Sequence, residues 1–215
     1  QDSKHYVESN YLYIDEVRTG ASMFYFAKGD NVKSAADNFS HQVCQAFEKK
    51  RKNRKKLAID KIMLDGFKSL ESRDFKIENG EKIMEHARSI KSAEEIKAMR
   101  CSISACETSI HVMEKETKPG MTENDIWSIL HSENIKRGGE WIETRLLSSG
   151  TKTNPWFQEC GSRILQNNEI VAFDTDLVGC YSMCTDISRT WWIGDQEPTK
   201  EMKQDYQIAL EHIQK

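Results

Sequence analysis

Three aspartates, Asp174, Asp176 and Asp186, stand in the stretch of the chain best equipped for chemistry. The first two sit two residues apart in Ile170-Val171-Ala172-Phe173-Asp174-Thr175-Asp176, a run with the β-branched and aromatic content of a strand. Alternate residues of a strand share a face, so Asp174 and Asp176 point the same way. Gly179 marks a turn region, and Thr185 to Ile193 reads as the returning strand, which can bring Asp186 opposite the pair. Three carboxylates on one face repel one another and are costly to hold together unless a cation neutralises them. Carboxylate oxygens around a divalent metal resolve that conflict. Three solvated hairpin aspartates are the plainer alternative; Val171, Phe173 and Trp191-Trp192 count against it, because they make the strands apolar enough to be buried.

The elements that must position this hairpin are legible upstream. Ser92-Ala93-Glu94-Glu95 has the pattern of a capping box, and Ile96, Met99, Ile103, Cys106, Ile110 and Met113 then recur at spacings of three and four, the apolar face of one helix. Pro119-Gly120 ends it, and Thr122 with Asp125 starts a second helix that runs to Gly138-Gly139. His111 and His131 lie in these helices and read as structural or exposed residues before they read as ligands. From Glu143 the pattern turns to strands: Thr144 to Ser148, Ile170 to Asp176 and Thr185 to Ile193. Before residue 85 the chain alternates, with strands at Tyr11–Ile14, Met23–Phe26, Leu57–Asp60 and Phe75–Ile77 and helices at Val32–Glu48 and Asp60–Ser72. That alternation predicts a small α/β module, with a boundary near residues 85–92.

Composition narrows the function classes. The net charge of −3 carries no basic field for nucleic acid, and the basic run Lys49 to Lys56 lacks the interleaved aromatics of a nucleic-acid surface, so a solvated loop is the expectation there. No apolar run is long enough to span a bilayer, and Gln1 to Asn10 has no signal-peptide pattern. Cys44, Cys101, Cys106, Cys160, Cys180 and Cys184 form no CxxC pair and read as buried, reduced thiols of a cytoplasmic protein. Glu201 to Lys215 is an amphipathic helical pattern with no stop signal after it, so the chain reads as a fragment.

Asp174, Asp176 and Asp186-Ile187-Ser188-Arg189-Thr190 together resemble the metal-binding hairpin of the creatinase, Xaa-Pro peptidase and methionine aminopeptidase superfamily, the pita-bread enzymes. Arg88 to Ile96 is similar to the superfamily's entry into its catalytic domain, and Pro119-Gly120-Met121-Thr122-Glu123 to its helix–helix turn. One branch is closer still. Glu133 to Arg145, Thr153-Asn154-Pro155-Trp156-Phe157-Gln158-Glu159-Cys160-Gly161 and Phe173-Asp174-Thr175-Asp176 resemble the dimethylsulfoniopropionate lyases, and the resemblance runs from about Phe24 to Ile213.

The resemblance implies an α+β fold: part of a small α/β creatinase-type domain at residues 1–88, then the first half of a pita-bread catalytic domain at 89–215. It implies Asp174, Asp176 and Asp186 as metal ligands, three of six, with a His and two Glu supplied from beyond this chain. It implies two divalent transition-metal ions (Fe, Zn or Mn), a catalytic base outside the chain, a sulfonium carboxylate as the small-molecule substrate, and a homodimer at full length. The peptidases place a His shortly after a turn that here reads Ser149-Gly150; Trp156 stands about there instead. A tryptophan cannot shuttle a proton but can hold a sulfonium by cation–π attraction; it can equally be a packing residue. The rival readings are a metallopeptidase of the Xaa-Pro type and a metal-free binding or scaffold protein of the same fold.

Overall fold

The computed structural model describes residues 2–10, 13–20, 22–50 and 55–215. No helix among them is long and apolar enough to cross a membrane. The chain divides into two compact units, Gln1–Ile90 and Lys91–Lys215.

In the first unit the elements are α1 (Asp2–Asn10), α2 (Tyr25–Lys28), α3 (Val32–Lys50), β1 (Lys56–Ile59), α4 (Leu64–Glu71), β2 (Lys76–Asn79) and α5 (Glu81–Ser89). β1 and β2 pair in parallel, Lys56 opposite Lys76 and Ile59 opposite Asn79. A parallel pair needs a crossover, and α4 supplies it. Leu70 of α4 and Phe75 are buried, and Phe75 meets Phe47 of α3 edge-on at 5.1 Å. Two expectations fail here. Met23–Phe26 is not a strand: its end forms the short helix α2, and Phe24, Tyr25 and Phe26 are all exposed, with no described strand beside them to pair with. The helix expected from Asp60 starts only at Leu64. The strand expected at Tyr11–Ile14 lies partly outside the described residues; Tyr13 and Ile14 are in no strand. Half of the basic run at 49–56, residues 51–54, also lies outside them.

The second unit holds α6 (Ala93–Glu116), α7 (Glu123–Lys136), β3 (Trp141–Ile142), β4 (Leu147–Ser149), β5 (Glu169–Phe173), β6 (Asp176–Val178), β7 (Cys184–Asp186), β8 (Arg189–Ile193) and α8 (Lys200–Ile213). Both long helices start at complete capping boxes. Ser92 Oγ accepts from the Glu95 amide while the Glu95 carboxylate accepts from the Ser92 amide, and Thr122 and Asp125 repeat the exchange. The strands form two three-stranded antiparallel sheets, β3-β6-β7 and β4-β5-β8. One hairpin runs through both. Its pairs keep a single register from Glu169 opposite Ile193 to Val178 opposite Cys184, and the Ile187 amide donates to the Thr175 carbonyl across the gap.

The other flank slips. Ile142 faces Leu177 and Leu147 faces Phe173, so four residues of the outer strand, 143–146, lie opposite three of the inner one, 174–176. That extra residue is a bulge, and it bends the sheet next to Asp174.

Odd-numbered residues of the hairpin face the core. Val171, Phe173, Thr175 and Leu177 are fully buried beneath Cys106, Ile110 and Met113 of α6 and Ile126 and Leu130 of α7. Ser102 of α6 sits on the turn, donating to the Met183 carbonyl at 2.8 Å. A Cβ on Gly179 would lie 2.1 Å from Ser102 Oγ, so only glycine lets helix and turn meet this closely. The helices thus cover the odd-numbered face and leave the even-numbered face to the aspartates.

Candidate metal centre and the loop beside it

Asp176 and Asp186 are direct cross-strand partners, and such partners always share a face. Asp174 is two residues back on the same strand run and is opposed by Ser188, whose hydroxyl donates to Asp174 Oδ1 at 2.6 Å. All three carboxylates therefore stand on one side of the hairpin, half-exposed for Asp174 and Asp176 and exposed for Asp186. The Asp186 carboxyl is pushed above the usual carboxylate range, first by its partial burial, then by the charges of Asp174 and Asp176, and by a hydrogen bond with Asp174. The positive charge nearest in sequence, Arg189, points to the opposite face, toward Glu107 of α6 at 4.0 Å. Hard oxygen donors in mutual repulsion suit a divalent cation. The trio is an open edge and not a finished cage: among the described residues no three His, Cys, Asp or Glu side chains are drawn into a ready metal-binding group. A cavity of about 290 Å³ lies further along the same hairpin, where Ile170 and Trp192 meet Met202 and Tyr206 of α8; the aspartates do not line it.

Trp156 is on a separate segment. After β4 the chain makes a short 3-10 turn, Gly150–Thr153, passes a cis Asn154–Pro155 bond, and reaches Trp156 and Phe157 at 40% and 75% exposure. It then returns to pair Glu159 with Leu146, the residue whose carbonyl accepts from the Asp174 amide. The loop thus closes next to the aspartates. Trp156 makes no hydrogen bond among the described residues.

Sequence reasoning missed the group that ties this loop down. Glu123, the first residue of α7, is completely buried. Its Oε1 accepts from the Ser149 amide and hydroxyl, both at 2.9 Å; its Oε2 accepts from Lys152 Nζ at 2.6 Å and the Gly161 amide at 3.0 Å. Ser149 Oγ also accepts from Arg163, which forks onto Glu169 at 2.7 and 2.6 Å. An acidic residue just after an N-cap reads as a favourable charge at a helix start. Nothing in the spacing of Glu123 and Lys152 signals that they meet. The six cysteines are free, but only Cys106 and Cys160 are buried; Cys101 and Cys184 are exposed, because each falls on the outer side of its element. His111 is exposed and His131 packs against Trp127 at 6.0 Å; neither approaches the aspartates as a ligand among the described residues.

The chain is 54% identical over 205 residues to the dimethylsulfoniopropionate lyase DddP of Roseovarius nubinhibens and 53% identical to that of Roseobacter denitrificans, in each case over 93% of this chain and 46% of the relative. It spans about half the length of these curated relatives. Among solved structures it resembles the Xaa-Pro dipeptidase from Bacillus anthracis (TM-score 0.73, 18% identity, 98% of this chain and 54% of that one). It also resembles the X-Pro aminopeptidase from Thermotoga maritima (TM-score 0.68, 21% identity, 86% and 54%). At such identities the likeness establishes the fold, that of the pita-bread enzymes. The profile of metallopeptidase family M24 matches residues 97–215, more than half of the sequence and the whole hairpin that carries the three aspartates, and the chain belongs to that family.

Proposed function

We propose that this chain carries the first half of the active site of a metal-dependent lyase that cleaves dimethylsulfoniopropionate into dimethyl sulfide and acrylate. The observation that carries the reading is the crowding of Asp174, Asp176 and Asp186 on one strand face with no lysine or arginine paired to them among the described residues. The lyase names of relatives at 54% and 53% identity support it.

In this reading residues 89–215 are the first half of the catalytic domain and residues 1–88 part of a smaller preceding one. Asp174, Asp176 and Asp186 would hold divalent metal, two ions of Fe, Zn or Mn, with further ligands from the portion of the relatives that this chain does not span. Metal bound there would supply Lewis-acid polarisation of the substrate carboxylate, which favours the negative charge that develops when the α-proton is removed. Trp156 presents an exposed aromatic face to the sulfonium. The bulge near Asp174 and the Ser188 hydrogen bond fix the direction of the Asp174 carboxylate. The base that takes the proton would also come from outside this chain.

The test uses the protein at the length of its relatives, metal-loaded. Dimethyl sulfide should appear in the headspace over dimethylsulfoniopropionate, and Xaa-Pro dipeptides should stay intact. Dipeptide hydrolysis without dimethyl sulfide would overturn the reading in favour of a peptidase.

A further inference from the structure

We infer that Glu123 is a positioning residue for Trp156: it clamps both ends of the loop that presents the tryptophan. The inference rests on the lyase reading of Trp156 for its functional consequence, but the clamp itself is a matter of geometry.

The segment leaves the sheet after Ser149 and returns to it at the bridge between Glu159 and Leu146, and its stems end at Ser149 and Gly161. Glu123 binds the amides of those two residues with its two oxygens, one stem each. Lys152 extends the clamp, donating to Glu123 Oε2 at 2.6 Å and to the Glu159 carbonyl at 2.7 Å, so that it crosses from the outgoing limb to the returning one. Between these ties residues 153–158 are held by short-range bonds alone: Thr153 Oγ1 to the Gly150 carbonyl, Asn154 N to the Thr151 carbonyl, and Gln158 Nε2 to the Pro155 carbonyl. No described hydrogen bond joins that stretch to the rest of the unit. The direction of Trp156 is therefore set at the stems.

A fully buried carboxylate is a poor device for stability alone, because desolvation cancels much of what its partners return; its strength lies in specifying one geometry. A glutamine could not do the same work. Its carbonyl would still accept from Ser149, but its NH₂ would face Lys152 Nζ and the Gly161 amide, two donors with nothing to accept them. Glu123→Gln should release one stem and keep the other.

The experiment has two arms. The first needs no substrate: emission from Trp156, isolated by difference against Trp156→Phe, should become more accessible to a soluble quencher in Glu123→Gln, and amides of residues 150–161 should lose protection from exchange. The second uses dimethylsulfoniopropionate as probe in the metal-loaded protein at its relatives' length. Glu123→Gln should raise KM roughly tenfold, as loss of a cation–π contact would, with kcat held. Added to Trp156→Ala it should raise KM no further, since two residues acting through one contact are not additive. Unchanged quenching and exchange, or KM effects that multiply, would overturn the inference. If the unsubstituted protein releases no dimethyl sulfide, the lyase reading fails and the first arm alone decides whether Glu123 positions Trp156. Should Glu123→Gln fail to fold, Lys152→Gln tests the same tie from its partly exposed end.

Discussion

Two groups of carboxylates in the second unit show opposite solutions to one problem. Glu123 is buried completely, and each of its oxygens is met by donors, one of them a lysine. Asp174, Asp176 and Asp186 are half-exposed or exposed, yet the Asp186 carboxyl is held above the usual carboxylate range by partial burial and by the charges of the other two. Burial is the usual sign of a functional charge, and here it misleads. The satisfied carboxylate holds the fold in one shape; the crowded ones are where the proposed reading puts a cation. On that reading incomplete compensation, more than depth, marks the place where chemistry enters.

The largest effect should come from the exposed trio. Asp186→Asn, which swaps a carboxylate for an amide that ligates metal poorly, should lower dimethyl sulfide release at least a hundredfold while the protein stays folded. Retained activity would remove Asp186 from the site.

The buried site should respond in stability instead. Lys152→Met strands Glu123 without its cation and should cost about 3 kcal/mol in urea unfolding. Glu123→Gln should cost less, because Lys152, with its side chain already a quarter exposed, can turn its charge to water. Equal losses would contradict the asymmetry.

How much of this was legible in the sequence follows the same division. The hairpin, its shared face and the two capped helices were readable, because period-two and 3.6-residue patterns and Ser/Thr-x-x-acid caps are local signals. The Glu123 clamp was not. It joins Glu123 to residues 26, 29 and 38 positions away, two of them through backbone amides, which have no sequence signature, and one through a lysine whose spacing signals nothing. The bulge at 143–146 was missed for a related reason: it is a register slip between strands, visible only once both partners are placed. The aromatic run at Met23–Phe26 read as a strand because propensity favours one, but a strand also needs a neighbour.

Trp156 lies between the two in sequence and should show an intermediate effect. Trp156→Ala should raise KM for dimethylsulfoniopropionate roughly tenfold with kcat nearly unchanged, a loss of about 1.4 kcal/mol of uniform binding. A drop in kcat instead would place the tryptophan in the transition state. Divalent metal should bind the 215-residue chain only weakly, because three carboxylates leave its coordination open; tight stoichiometric binding would mean that this chain alone completes the site.

The smallest effect sharpens the contrast most. If Asp174, Asp176 and Asp186 strain the metal-free fold, then Asp186→Asn, expected to lower activity most, should also make the protein slightly more stable. Like charges placed opposite on neighbouring strands destabilise by roughly 0.2–1 kcal/mol, and the exposure of Asp186 keeps the figure within that range. The pH dependence follows from the direction of the shift. Asp186 holds its proton more tightly folded than unfolded, so wild-type stability falls as pH rises from the unfolded value through the raised folded one. Below that window both proteins carry a neutral side chain at 186 and should melt together; above it the asparagine variant should melt higher. Saturating divalent metal should reverse the order, because only the aspartate then gains a ligand. Equal melting temperatures at neutral pH without metal would show that the three carboxylates are no more crowded than ordinary surface charges, and the case for a metal among them would lose its physical ground.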